Sequence, residues 1–416
     1  MRHVPVLPAA AARRLAATML LLVLGLPAGP ALAGPLRVYV LAGQSNMQGH
    51  AHARTIDAMR LDADTAALLA LMRDEDGAAR ASGRTWISVA GEGDGDPPRT
   101  GPLTVGFGAA RGGPKIGPEL TFGLTLERRT DGPILIVKTA WGGRSLHTDF
   151  RPPSAGPREL TEAEQRRADE RGTPPAEIRA ELDRRTGRSY RRMIEHVRSV
   201  LADPGRVHPA YDPAEGVELA GFVWFQGWND MVDAAIYPRR AEPGGYDAYT
   251  ELLATLVADV RRDLEAPGMP VVVGVMGVGG PLDSYPPDQR RFVPIHRGFR
   301  AAMAAVADRP DLGGVTAVRT APLWDVELES LRAREAALAP RLEEIEAAAR
   351  AGRLDEAAAA AARDALMAEH FDQRELALLR ESTSDRAYHY LGSARILGRI
   401  GRAFAEALAP DRKDPS

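Results

Sequence analysis

The order of apolar segments in this 416-residue chain predicts an α/β fold built on a mainly parallel sheet. Short apolar runs alternate with stretches of helical periodicity. The runs are nearly unbroken, as strands covered on both faces are. Three of them end in polar or Gly-rich turns, at the sheet edge where open α/β sheets bind ligands.

The first strand is expected at 36–42 and runs into Gly43-Gln44-Ser45-Asn46-Met47. Further strands are expected at 133–140, 219–226 and 270–276, with a weaker fifth at 314–318. A helix opens near Ile116-Gly117-Pro118-Glu119-Leu120, where proline and an acid suit a first turn. Residues 189–201 put Met193, Val197 and Val200/Leu201 on one stripe. Residues 246–264 do the same with Leu252, Leu256 and Val260. A last helix, about 393–408, is apolar at Ile396, Ile400, Phe404 and Leu408.

Three segments read as decoration on one catalytic domain, 34–416. Residues 75–113 are rich in Gly, Asp and Pro and predict a long surface loop. Residues 151–187 are a polar insertion beside the second strand's loop. Residues 326–380 keep Leu328, Leu331, Leu338, Leu342 and Ile345 at helical spacing until Gly352, which predicts a helical hairpin.

With 44% apolar and 26% charged residues the chain is globular and long enough for a large core. A net charge of -3, with basic residues scattered among acids, gives no case for nucleic acid. Arg13 and Arg14 precede an apolar run, 15–26, too short to span a bilayer. Pro30-Ala31-Leu32-Ala33 then supplies a small-residue cleavage site. Residues 1–33 are thus expected to be an export signal cut after Ala33, leaving a secreted or periplasmic protein without membrane insertion. The chain has no cysteine, which excludes thiol catalysis, disulfides and cysteine-zinc sites.

Three strand ends carry residues suited to acyl transfer, which needs a nucleophile, a base and oxyanion donors. Ser45 is the candidate nucleophile, contributing its own N–H as well. Gly143 (or Gly142), in Trp141-Gly142-Gly143-Arg144, lets the backbone approach a substrate, and Asn229 offers a side-chain amide. Asn229-Asp230 would equally cap the next helix. Of nine histidines, His389 alone sits just before the C-terminal helix with hydrogen-bonding neighbours in an apolar frame. It is the candidate base. His50, His52 and His147 are near enough to the site loops to line the cleft.

Gly43-Gln44-Ser45-Asn46-Met47, Lys138-Thr139-Ala140-Trp141-Gly142-Gly143, Trp224-Phe225-Gln226-Gly227 and the late histidine resemble the SGNH hydrolase superfamily. They are most similar to its sialate O-acetylesterase-like branch, related to carbohydrate esterase family six. That resemblance implies a three-layer α/β/α sandwich and a Ser-His-Asp triad. It also implies removal of acetyl groups from carbohydrate without metal or cofactor. Ser45 and His389 match the nucleophile and base, and Gly143 and Asn229 the oxyanion positions of the wider superfamily. In the carbohydrate branch the third block carries Gln-Gly-Glu; here Trp228 replaces the acid, so either Gln226 or Asn229 is the donor. The family's Asp-x-x-His becomes Arg386-x-x-His389, with Asp385 one residue early. Either Asp385 reaches His389 through a different loop conformation, or a backbone carbonyl orients the ring.

Gln44, Arg144, His147 and Asp149 favour a hydroxyl-rich substrate, with Gln44, Gln226, Trp141, Arg144 and Trp228 as its expected contacts. Trp141, Trp228, Phe150 and Tyr388 would serve an acyl pocket as readily as a sugar platform. A general short-chain or lipase-like esterase is therefore the rival reading. A carbohydrate-binding homologue with weak turnover, motivated by the displaced acid, is the other. No Gly-x-Ser-x-Gly occurs, which disfavours the α/β-hydrolase fold.

Overall fold

The computed structural model describes residues 34–409. The expected export signal, 1–33, lies outside the described residues. The strands are β1 (Leu36–Gly43), β2 (Ala51–His52), β3 (Thr85–Val89), β4 (Arg99–Pro102), β5 (Lys115–Ile116), β6 (Ile134–Ala140), β7 (Val217–Phe225), β8 (Val271–Val275) and β9 (Val315–Arg319). Seven form one sheet in the order β4-β3-β6-β1-β7-β8-β9. All its pairings are parallel except β3 with β4. β2 and β5 form a separate two-residue antiparallel ladder.

Successive strand residues point to opposite faces, and each face meets a helical layer. Trp224 reaches Tyr249 in the helix Asp247–Asp263, while the adjacent Phe225 packs edge-on against Phe404 in the helix Ala394–Leu408. The first layer also holds Arg188–Ala202 and Val293–Ala305, and the second Ala63–Met72 and Glu119–Arg129. This is the three-layer α/β/α sandwich expected. The C-terminal helix buries Ile396, Ile400 and Phe404 completely. Each is worth at most about 1.5–3 kcal/mol.

The order of strands places the site. Chain connections leave β1 for β6 on one side and β7 on the other, so a crevice opens at its carboxyl end. Gly43 pairs with Ala140 of β6 and with Phe225 of β7, putting the three strand ends level. A side chain at Gly43 would lie 2.2 Å from the Phe225 carbonyl oxygen, so only glycine lets the strands stay that close.

Two expectations need correction. Residues 75–113 are not one loop: β3 and β4 extend the sheet, and only 90–98 form the connecting turn. The Gly- and Asp-rich turn dominates the local composition and hides Thr85-Trp86-Ile87-Ser88-Val89, a good β segment. Residues 326–381 form four helices, Val326–Ala337, Ala339–Arg350, Glu356–His370 and Gln373–Glu381, of which the second and third make the expected hairpin at Gly352. They enclose a small core of their own around Leu331, Leu338, Phe371 and Leu378. The 151–187 insertion contains the helices Glu162–Arg171 and Pro175–Arg185.

Candidate active site

Ser45 is the first residue of a single-turn helix, Ser45–Gln48, that begins where β1 ends. The turn is held from below by a buried charge. Lys138 on β6 is fully buried and donates to the carbonyls of Gln48 (2.8 Å) and Phe107 (3.0 Å) and to Glu119 (2.7 Å). Glu119 in turn accepts from the Gly117 amide at 2.8 Å. Burial pulls the Lys138 ammonium down from its ordinary pKa, and Glu119 opposes that pull. With every donor of the ammonium engaged, the ion pair fixes the floor of the turn.

The second loop, 141–150, is tied to the third by Asp230. Its carboxylate is buried and accepts from the amides of Leu146 (2.8 Å) and His147 (2.9 Å) and from Gln226 Nε2 (2.5 Å). Burial pushes its pKa up to about 6, against those hydrogen bonds. Asp230 therefore clamps two site loops together rather than facing solvent. Gly143, with φ +74°, has no heavy atom within 4 Å of where a side chain would stand. A side chain at Gly142 would approach Ser45 Cβ at 3.9 Å, so this backbone runs beside Ser45. Asn229 is half-buried in the short helix Trp228–Val232, and its side chain makes no hydrogen bond among the described residues.

His389 lies in the 3-10 turn Ala387–Gly392, which packs against the Ser45 turn. Its Nδ1 stands 3.2 Å from Asp385 Oδ1, so Asp385 reaches the ring despite the extra residue. The backbone makes this possible at a cost: Tyr390 and Leu391 sit at φ 52° and 60°, where side chains are strained. Four hydrogen bonds hold the strained turn. Tyr390 is fully buried, and its hydroxyl accepts from the Gly277 amide and bonds Thr320 Oγ1, both at 2.8 Å. The amides of Ser384 and Asp385 both donate to the Leu391 carbonyl. Arg386, in the place of the family's acid, is exposed.

His50, at the end of the Ser45 turn, brings a second imidazole. Its Nδ1 stands 3.2 Å from Asp385 Oδ2, and its ring stacks on His389 at 3.9 Å and 16°. Neither Nδ1 contact is well aligned, and His389 Nδ1 is sealed without an aligned partner. The carboxylate therefore acts on both rings mainly through short-range charge; such contacts tighten when substrate binds. Burial lowers the His389 pKa, with Asp385 opposing. Burial also lowers His50 to about 4, helped by His389. For Asp385, burial resists ionisation, but the Arg386 amide and both rings outweigh it and hold the carboxyl below its usual range. Among the described residues, His50, Asp385 and His389 are the group whose donor atoms gather closely enough for a cation, within 4.8 Å. Parallel rings direct their in-plane lone pairs side by side rather than to one point. The set is a shared carboxylate rather than a cage.

The expected substrate contacts divide. Trp228 and Arg144 are half-buried at the surface, and Trp228 lies 5.7 Å from the exposed Tyr388 ring, which meets His389 edge-on at 4.5 Å. The other three are not where a sugar contact belongs. Gln226 is buried, with both amide hydrogens spent on the Arg144 carbonyl and Asp230 and its oxygen on Tyr249. That leaves Asn229 as the free amide of this loop. Trp141 is buried, bonded to the Gly91 carbonyl and covered by Arg192. Gln44 is sealed behind Ser45, with neither amide atom partnered. His50 was legible only as a cleft residue, since its link to Asp385 spans most of the chain.

The turns carrying Ser45 and His389 pack on each other at the carboxyl end of β1, the edge where open α/β sheets bind ligands. The chain matches the family described as carbohydrate esterase, sialic acid-specific acetylesterase, over residues 35–297, and it belongs to that family. It is thus a carbohydrate acetylesterase by family. Among solved structures it is similar to a protein from Arabidopsis thaliana at 15% identity, covering 69% of this chain and 86% of that one, with a TM-score of 0.37. It is also similar to a carbohydrate acetylesterase from Xanthomonas citri at 14% identity, covering 70% of this chain and 50% of that one, with a TM-score of 0.36. No curated protein matches it.

Proposed function

We propose that the protein removes O-acetyl groups from carbohydrate through an acetyl-enzyme on Ser45. Ser45 Oγ attacks the acetyl carbonyl while His389 takes its proton. The carbonyl oxygen, now negative, is met by the N–H groups of Ser45 and Gly143 and the Asn229 amide. The ester C–O bond breaks, and His389 returns the proton to the departing sugar hydroxyl. Water, deprotonated by His389, then attacks the acetyl-enzyme; acetate leaves, and Ser45 recovers its proton. Because burial holds His389 below the ordinary value near 6.5, the base is neutral at neutral pH.

The observation that carries this reading is the His389–Asp385 pair in the turn packed on Ser45. The exposed Tyr388 and half-buried Trp228 form an aromatic wall suited to a sugar face, with Arg144 as a polar contact. The test is acetate release by the purified protein, wild type beside Ser45→Ala, from acetylated xylan, O-acetyl sialic acid and a short-chain aryl acetate. Ser45-dependent release from a sugar is expected, with a loss of at least about a thousandfold in the variant. Turnover of the aryl acetate alone would favour the general esterase. Unchanged activity in Ser45→Ala would refute the mechanism.

Export belongs to the same proposal, motivated by the charged, apolar and small-residue order of 1–33. Expression in a secreting host is expected to yield a mature protein beginning at Gly34. A product that retains Met1 inside the cell would overturn it.

A further inference from the structure

We infer that His50 is a positioning residue for the base, forming with Ser45, His389 and Asp385 a four-membered relay in which one carboxylate serves two imidazoles. This rests on Ser45 and His389 being the reacting pair. The displaced acid makes a second anchor necessary. Asp385 comes from the residue before the usual place, in a turn strained at Tyr390 and Leu391, and nothing rigid in its own segment fixes both its oxygens. Its Oδ1 accepts from the Arg386 amide at 2.7 Å and faces His389 at 3.2 Å. His50, from the end of the Ser45 turn, faces Oδ2, also at 3.2 Å.

The two turns are joined as well by backbone. Ser384 Oγ accepts from the His52 amide at 2.9 Å and donates to the Gly392 carbonyl at 2.7 Å. Thus the segment carrying His50 and the segment carrying Asp385 and His389 move as one piece. The stacked rings leave each imidazole a distinct task. His50 Nε2 is sealed and unpartnered, so His50 has no route to a substrate proton. His389 Nε2 is not sealed, which leaves it as the nitrogen that serves Ser45.

Stacking has an electrical consequence. Two rings 3.9 Å apart cannot both carry charge cheaply, so the pair holds one proton before it holds two. His50 keeps its Nδ1 facing Asp385 and, with burial lowering its pKa to about 4, stays neutral while His389 cycles. Lys115 on β5 adds positive charge that disfavours protonation of both rings, and the Tyr388 ring covers an edge of His389. Removing the His50 ring uncovers a face of His389 and leaves Asp385 a stronger partner for it. Both changes favour imidazolium.

The experiment compares His50→Ala and His50→Asn in the full chain, with an aryl acetate as probe, reading kcat, KM, the pH profile of kcat/KM and the unfolding midpoint. Asparagine places its amide near the position of Nδ1, so it keeps the donor and loses the stack. His50→Ala is expected to lower kcat about tenfold or more with KM little changed, and to move the acid limb of kcat/KM to higher pH. His50→Asn is expected to recover part of kcat. An alanine variant that loses only folding midpoint, with kcat and limb unmoved, overturns the inference, as does one that raises KM alone. Should His50→Ala fail to fold, an asparagine variant with the wild-type acid limb overturns it instead. Retained turnover in Ser45→Ala or His389→Ala would instead strike the mechanism beneath.

Discussion

The Ser45 turn and the His389 turn lie side by side, yet they are held in place by opposite means. Ser45 continues directly from a central strand, and its turn rests on a buried Lys138–Glu119 pair whose every donor is engaged. His389 sits on a strained surface turn fixed by side chains from elsewhere: Tyr390 in the core, Ser384 across to His52, and a carboxylate shared with His50. The serine is positioned by the sheet itself, the histidine by side-chain contacts laid over it. Such a division lets the His389 turn take an unusual spacing without disturbing the sheet.

The sharpest way to break the contrast is to remove the buried charge. Lys138→Met leaves Glu119 buried and unpaired and should lower stability by roughly 3–5 kcal/mol, measured as the denaturant midpoint. Activity should fall with it because Gln48 and Phe107 lose their donor. A stable, fully active Lys138→Met would show that the Ser45 turn does not need its floor. Next in size, Asp385→Asn should cost on the order of a hundredfold in kcat, with the unfolding midpoint nearly unchanged. A large stability loss would mean the carboxylate builds the turn rather than orients the ring.

Tyr390→Phe strips the partner from the Gly277 amide and Thr320 and should cost about 1–3 kcal/mol. If kcat falls by more than that loss of folded protein accounts for, the anchor also sets the angle of His389. A further effect is in acid. His50, His147 and His296 all have pKa values lowered to about 4, by burial first. Their contribution is complete above about 6.5 and is lost as pH falls toward 4, because the unfolded chain takes protons that the folded one refuses. Asp230, raised to about 6, works the other way and gains stability on protonation. Denaturant midpoints should therefore fall between pH 7 and 5, and fall more steeply in Asp230→Asn.

Much of this was readable in the residues. Unbroken apolar runs located β1, β6, β7 and β8 within a residue or two, because strands buried on both faces have no polar side to blur the pattern; β9, a partly exposed edge strand, gave a weaker run at the right place. The helices at 188–202, 247–263 and 394–408 were equally clear from their stripes. β3 and β4 were hidden, since both are short, β4 is a partly exposed edge strand, and the turn between them dominates the local composition. In the site, the sequence suggested Ser45 and His389 from their places at a strand end and before the last helix, and the structure packs their turns together. Gln44, Gln226 and Trp141 misled because a polar or aromatic type near a strand end says nothing of which way it faces. Asp230 and His50 act through contacts far along the chain, and no local pattern carries such information.

Tyr390 has one more consequence, for the way this protein fails when heated. Its ring is packed on Phe225 and Trp324, and its hydroxyl ties the ends of two strand segments, one residue from the base. His389 cannot swing free while that ring stays inserted, and the ring cannot leave while the sheet is intact. Heat inactivation should therefore coincide with loss of the sheet, whereas the helical hairpin Ala339–Arg350 and Glu356–His370, packed mainly on the helices beside it, is free to melt earlier.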